Sequence, residues 1–492
     1  MIAMAALAML AAAKAPAAAP SGTAEEKIRV PLFGQVSVYR PEPIQRARGV
    51  ILFVSGDGGW NLGVVDMARR SAQRAIVVGL SMPAWQKAVE KSPGRCWYPA
   101  GELEPIAQAV EKTYHLPRYL PPILVGYSSG ATVVYGALAQ APAGTFAGAA
   151  SLGFCPDLEV ARALCGRDGF EPQYDPRKRR SMFPVAPALG AGPGGGSSWF
   201  ALQGDIDQVC DPAGTRRFVE QIPSAKLVWL PKVGHGFSVP RRWGAEYDAS
   251  VESLLDPFGP WSEPPKRVSE SPPPEDIERR LETLALPLEV EWPAGAREAI
   301  VFVSGDGGWA ELDRDVSAAL VDRDIAVIGW NSLRYFWSAK TPETFRTDLA
   351  RVIDALPEDV RLYAGGYSFG AEVVTAALAQ ARGALPAPLG RIDGLVLLAP
   401  GPFATFEVSP LDWIRTDDTP SPYPVRAPLE AGIGHPVLCL EPSSEEASGC
   451  PPHSGAGVTH ESLPGGHHFG GDFAALAGRI LEFLRARTSI RP

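Results

Sequence analysis

Two serines in this chain stand in a setting that could make them nucleophiles. Each lies in a GxSxG pentapeptide: Gly126-Tyr127-Ser128-Ser129-Gly130 and Gly366-Tyr367-Ser368-Phe369-Gly370. A serine hydroxyl attacks a carbonyl well only when an imidazole takes its proton and a carboxylate holds that imidazole in the right tautomer. The chain has 7 histidines, and one falls in a Gly-rich turn late in each half: Gly234-His235-Gly236-Phe237 and Gly466-His467-His468-Phe469. His235 and His467 are the expected bases. The bland alternative, an ordinary loop histidine, is the leading reading for His468, which has no counterpart in the first half. No HExxH string or carboxylate cluster accompanies the His467-His468 pair, so no metal is expected.

Between serine and histidine an acid is required. In the first half an apolar run delivers Gln203-Gly204-Asp205-Ile206-Asp207, and Asp207 is preferred over Asp205 because a glycine stands three residues before it. In the second half the corresponding run, 436–440, leads into Glu441-Pro442-Ser443-Ser444-Glu445-Glu446. Two glutamates compete there without a preceding glycine, and Glu446 is the choice. The order Ser, then Asp or Glu, then His belongs to acyl transfer from a nucleophile elbow.

These residues need elements to hold them. An apolar run, 360–364, precedes the second pentapeptide and a helix-compatible run, 371–380, follows it, the strand–turn–helix context that an elbow demands. A second hexapeptide is also duplicated. Ser55-Gly56-Asp57-Gly58-Gly59-Trp60 and Ser304-Gly305-Asp306-Gly307-Gly308-Trp309 each end an early apolar strand. Such a Gly-rich loop can point backbone amides at an oxyanion. Gly59 or Trp60 with Ser129, and Gly308 or Trp309 with Phe369, are the expected donors; a turn chosen only for shape is the alternative. Asp57 and Asp306 would brace the loop or meet a cationic substrate group. Short apolar runs alternate with helical patterns, with strands expected at 50–54, 75–80, 123–125, 147–152, 199–203 and 226–230. This rhythm predicts an α/β fold with two tandem copies, each a mostly parallel sheet with helices on both faces. The expected layout is a signal segment over 1–20, a first copy over 25–255, a Pro-rich linker over 256–287 with a short helix near 275–284, and a second copy over 288–492.

At 492 residues with 46% hydrophobic content the chain is globular and too long for a single core. A net charge of -9 argues against nucleic acid as a partner. The compact basic run Arg177-Lys178-Arg179-Arg180 reads as a solvated loop or as a patch for anionic headgroups. The apolar start, 1–13, is too short to span a bilayer and is followed by small residues, like a secretory signal, although no basic residue precedes it. The 6 cysteines form no CxxC pair. A Cys439–Cys450 disulfide is plausible, and the four in the first half allow three pairings.

The duplicated motifs resemble a known family. The second copy is similar to the bacterial virulence protein VirJ family, and the two-copy arrangement resembles its longer relative AcvB. The resemblance is carried by Ser304-Gly305-Asp306-Gly307-Gly308-Trp309, by Ser332-Leu333-Arg334-Tyr335-Phe336-Trp337 with Lys340-Thr341-Pro342-Glu343, by the Ser368 pentapeptide, by Phe406-Glu407-Val408, and by Gly465-Gly466-His467-His468-Phe469. It implies periplasmic α/β-hydrolase serine esterases that remove the aminoacyl group from lysyl-phosphatidylglycerol. Ser368 would be nucleophile and His467 base, with no cofactor. The partner would be an aminoacylated phospholipid headgroup at the membrane surface, together with envelope or secretion-system proteins. Asp306, Asp313 and Glu372 are candidates for an acidic pocket rim. Trp330, Phe336 and Trp337 would serve as interfacial aromatics or as core. A hydrolase of soluble esters, or a non-catalytic envelope protein, are the competing readings.

Overall fold

The computed structural model describes residues 22–488 apart from 31, 92–95, 143, 161, 163, 166–172, 176–179, 185–197, 257–276, 380–384, 409–420 and 446. The expected signal segment, most of the linker and Arg177 to Arg179 therefore lie outside the described residues.

The chain builds two large sheets. The first comprises β1 (Gly22–Val30), β2 (Gly34–Glu42), β3 (Val50–Val54), β4 (Ile76–Leu80), β5 (Ile123–Tyr127), β6 (Gly148–Leu152), β7 (Ser198–Gly204) and β8 (Ala225–Leu230), in the spatial order β1-β2-β4-β3-β5-β6-β7-β8. The second comprises β9 (Leu288–Glu291), β10 (Glu298–Val303), β11 (Ile325–Trp330), β12 (Arg361–Tyr367), β13 (Ile392–Leu398), β14 (Val437–Pro442) and β15 (Val458–Leu463), in the order β9-β11-β10-β12-β13-β14-β15. From β4 to β8, and from β11 to β15, every pairing is parallel. Antiparallel strands edge both sheets: the β1–β2 hairpin on β4, and β9 on β11. The sequence reading does not assign these edge strands, although Leu288-Glu289-Val290-Glu291 of β9 alternates apolar and charged residues.

Helices cover both faces, which is why the central strands read as unbroken apolar runs. Val50, Leu52 and Val54 of β3 enter one core cluster, and Ile51 and Phe53 enter the cluster on the opposite face. In the second sheet Ala299, Val301 and Val303 of β10 pack on one side and Ile300 and Phe302 on the other. Fully burying each of the Val, Leu, Ile and Phe side chains among them contributes about 1.5–3 kcal/mol.

The halves touch through the helix Pro99–Thr113 and the segment after it. The Trp337 indole N–H donates to the Leu116 carbonyl at 2.9 Å, and its ring lies 5.3 Å from that of Tyr119. Lys112 reaches the Trp337 carbonyl and the Glu407 carboxylate, its ammonium 4.6 Å from the centre of the Trp337 ring. Trp330, Phe336 and Trp337 are all buried. They are core and interdomain packing, and the interfacial role considered for them is corrected on that ground.

Candidate active sites

In each half the strand that precedes the serine ends at the centre of the sheet, β5 before Ser128 and β12 before Ser368. The serine then takes a left-handed conformation, φ 57° at Ser128 and 52° at Ser368. Holding a non-glycine residue there costs on the order of 1–3 kcal/mol and persists only because the flanking glycines let the backbone close. A Cβ on Gly126 would stand 2.2 Å from the Gly130 carbonyl oxygen, and one on Gly370 would stand 2.0 Å from that of Val303. The glycines are therefore steric requirements of the turn, and the turn lifts the serine hydroxyl above the carboxyl ends of the strands.

In the N-terminal site, Ser128 Oγ lies 2.9 Å from His235 Nε2, and His235 Nδ1 lies 2.9 Å from Asp207 Oδ2. Asp207 Oδ1 accepts the backbone N–H groups of Val209 and Cys210 at 2.8 and 2.9 Å. Gln203 donates to Oδ2 at 3.2 Å. Burial pushes the Asp207 carboxyl up, but the hydrogen bonds from His235, Cys210 and Val209 outweigh it and hold the group below its ordinary value. Asp205 is occupied elsewhere, accepting the Lys232 amide. The site opens into a cavity of about 340 Å³ lined by Asp57, Gly59, Asn61, Ser128 and His235.

In the C-terminal site, Ser368 Oγ lies 2.8 Å from His467 Nε2, and His467 Nδ1 meets Glu445 Oε1 at 2.5 Å. The acid expected at Glu446 is corrected here, because the structure puts the Glu445 carboxylate on His467; Glu446 itself lies outside the described residues. The turn decides the matter. Ser443 donates its amide to Leu463, the Ser444 hydroxyl donates to the Gly465 carbonyl, and Glu445 donates its amide back to Pro442. These contacts carry Glu445 toward the histidine. This site is the more open of the two: the His467 and Glu445 side chains are 42% and 25% exposed, against 16% and 0% for His235 and Asp207. His468 stays outside the triad, its Nδ1 3.2 Å from the Tyr367 hydroxyl.

The Gly-rich loops are built alike. The Gly59 amide donates to Gly56 and the Gly308 amide to Gly305, closing the turn. Those amides are used, so of the expected donors Gly59 and Gly308 shape the loop. The backbone amides of Trp60 and Trp309 make no hydrogen bond among the described residues and are available to an oxyanion. Across from them, Ser129 and Phe369 open their helices, where the first amides lack intrahelical partners and the dipole favours negative charge. The Trp60 and Trp309 indoles lie against Gly79 and Gly329, so closely that a Cβ at either glycine would overlap the ring. Ser55 and Ser304 tie each loop to the next segment, accepting the amides of Met82 and Ser332 at 3.0 Å. Asp57 accepts the Ser129 hydroxyl at 2.7 Å, a bracing role.

Sequence reasoning missed the tyrosine of each pentapeptide. The Tyr127 hydroxyl donates to the His235 carbonyl at 3.0 Å, and that of Tyr367 to the His467 carbonyl at 3.1 Å. The same residue in both copies was the available signal. Disulfides then secure each acid. Cys155–Cys210 anchors the residue whose amide binds Asp207, and Cys439–Cys450 brackets Glu445. A third joins Cys96 to Cys165. The cluster of Asp207, Cys210 and His235 has the proximity of a metal site, but Cys210 is committed to its disulfide.

Strand order, nucleophile elbow and the succession Ser, acid, His define an α/β-hydrolase fold, carried by each of the two sheets. Residues 298–488 match the family described as bacterial virulence protein (VirJ). No curated protein matches the chain. Among solved structures, a serine hydrolase without a lid from Xanthomonas campestris is 21% identical, with a TM-score of 0.30, over 50% of this chain and 98% of its own. The esterase domain of a Rhodothermus marinus protein is 12% identical, TM-score 0.32, over 48% and 98%. Est1E from Butyrivibrio proteoclasticus is 12% identical, TM-score 0.29, over 47% and 96%.

Proposed function

We propose that this protein is a serine esterase of the bacterial periplasm that hydrolyses the aminoacyl ester of lysyl-phosphatidylglycerol. The observation that carries the esterase reading is the hydrogen-bonded series Ser368, His467, Glu445, repeated as Ser128, His235, Asp207. The VirJ match supports a hydrolase, and the substrate class is what the resemblance to that family implies. Three disulfides fit an oxidising compartment. Among the described residues no helix is long and apolar enough to cross a membrane.

The chemistry follows from the positions. His467 Nε2 takes the Ser368 proton as Oγ attacks the ester carbonyl. The Trp309 and Phe369 amides receive the oxyanion, and Glu445 holds the imidazolium. Collapse breaks the ester C–O bond, and the glycerol oxygen leaves with the proton from His467. Water then attacks the acyl-serine under the same base, releasing lysine and restoring Ser368. The sequence Ser128, His235, Asp207 runs the same steps with the Trp60 and Ser129 amides. No step calls for a cofactor.

The test is lysine release from vesicles containing lysyl-phosphatidylglycerol, with wild type, Ser128→Ala, Ser368→Ala and the double substitution. Loss in one single variant assigns the working half, and loss only in the double variant assigns both. Absence of release by wild type refutes the aminoacyl-lipid substrate and directs attention to soluble esters. Release that survives the double substitution refutes both elbows.

A further inference from the structure

Beside the Ser368 site, between the two halves, lies a cavity of about 640 Å³. One wall is the active-site frame, with Tyr367, His468 and the loop residues Gly307 and Trp309. The other is the N-terminal half, with Tyr98, Glu104 and Tyr119. The lining carries four carboxylates, Glu104, Glu289, Asp313 and Asp315, against the guanidinium groups of Arg314 and Arg334. Arg314 is committed to the Trp309 carbonyl through Nε at 3.1 Å.

Two of the carboxylates are placed at a cost. Asp313 is 1% exposed, and its Oδ2 accepts the Ala310 amide while Oδ1 meets no donor at hydrogen-bonding geometry. Glu104 is held by the Tyr119 hydroxyl at 3.3 Å. Burial raises both carboxyls to about 7, and for Glu104 the nearby Asp306 adds to the rise. Carboxyls crowded and desolvated in this way require either a proton or a cation. Tyr98, Tyr119 and Trp309 add aromatic surface of the kind that favours an ammonium group.

We propose that this cavity receives the ammonium-bearing acyl group of the ester attacked by Ser368, with Glu104 and Asp313 as its counter-charges. The N-terminal half thereby completes the binding site of the C-terminal half, whatever its own serine does. The inference rests on the aminoacyl-ester reading for the link to Ser368, whereas the amine specificity stands on the cavity alone.

Calorimetry with lysinamide, a soluble amine without phosphate, tests the cavity directly on the full chain. Wild type is expected to bind it. Glu104→Gln, nearly isosteric, is expected to weaken binding about 10-fold or more, as loss of a charged hydrogen-bond partner does. Asp313→Asn is the second variant, and circular dichroism melts check that each is folded. In a Ser128→Ala background, Glu104→Gln is expected to raise KM for lysyl-phosphatidylglycerol far more than it lowers kcat. Absence of lysinamide binding by wild type, or binding unchanged in both variants, overturns the subsite even if lysine is released from the lipid. Binding that depends on Glu104, with no lysine released by wild type, supports the amine subsite and refutes the proposed ester.

Discussion

Two glycine-to-alanine substitutions in the C-terminal half should move stability in opposite directions, and the sign is set by space alone. Gly370 is the second residue of the helix Phe369–Ala379, and Gly478 lies inside the helix Phe473–Thr488. In an isolated helix each change would gain up to about 1 kcal/mol, because alanine loses less backbone freedom than glycine. At Gly478 a Cβ meets nothing within 4 Å, so that gain should survive. At Gly370 a Cβ would lie 2.0 Å from the Val303 carbonyl oxygen, 2.5 Å from its carbon and 2.6 Å from the Ser304 carbonyl oxygen. All three are backbone atoms of the sheet and the oxyanion loop and cannot rotate away. Overpacking costs about 1–3 kcal/mol, and a rigid neighbour puts this case at the upper end. The net expectation for Gly370→Ala is about 2 kcal/mol of destabilisation. For a unit of this size that lowers the melting transition by about 4–8 °C. Gly478→Ala should raise the same transition by about 2–4 °C. Scanning calorimetry of the C-terminal transition is the assay. If Gly370→Ala is neutral or stabilising, the close approach that shapes the elbow is wrong.

Other outcomes follow from the same geometry. In a Ser128→Ala background, Glu445→Gln should lower kcat/KM by about 10²–10⁴ by removing the group that holds the His467 tautomer, while Glu446→Gln should stay within about 3-fold; the reverse pattern would reassign the acid. Burial raises the Glu372 carboxyl to about 7, above its ordinary 4.5, so the folded chain holds the proton more tightly. Stability from this group is full below about 4.5 and declines as pH rises toward 7. Glu372→Gln keeps an oxygen for the Gly401 amide and should match wild type at pH 4.5 but gain about 1–3 kcal/mol at pH 8 in urea melts. Replacing Cys155 and Cys210 by serine should cost about 2–4 kcal/mol and, in a Ser368→Ala background, depress turnover at Ser128, since Cys210 supplies an amide to Asp207. Unchanged turnover would show that the acid loop holds its shape without the disulfide.

What could be read from the chain alone was whatever depends on local geometry and repeats itself. The elbow is legible because a positive-φ serine between a strand and a helix, packed against the neighbouring strand, leaves no room for side chains at Gly126, Gly130, Gly366 and Gly370. The Gly-rich loops and both histidines announce themselves by recurring at the same point of each half. Central strands such as Val50–Val54 are continuous apolar runs because helices cover both faces. Tertiary structure alone decided the rest. Glu445 and Glu446 are neighbours in an irregular turn, without a period to separate them, and contacts to Leu463 and Gly465 on other segments choose between them. An apolar residue such as Trp337 reads the same whether it meets lipid, its own core or the other half, and the Leu116 carbonyl resolves that. Glu104 carries no motif, because its place beside the Ser368 site arises from how one half packs against the other, which no spacing within a single copy encodes.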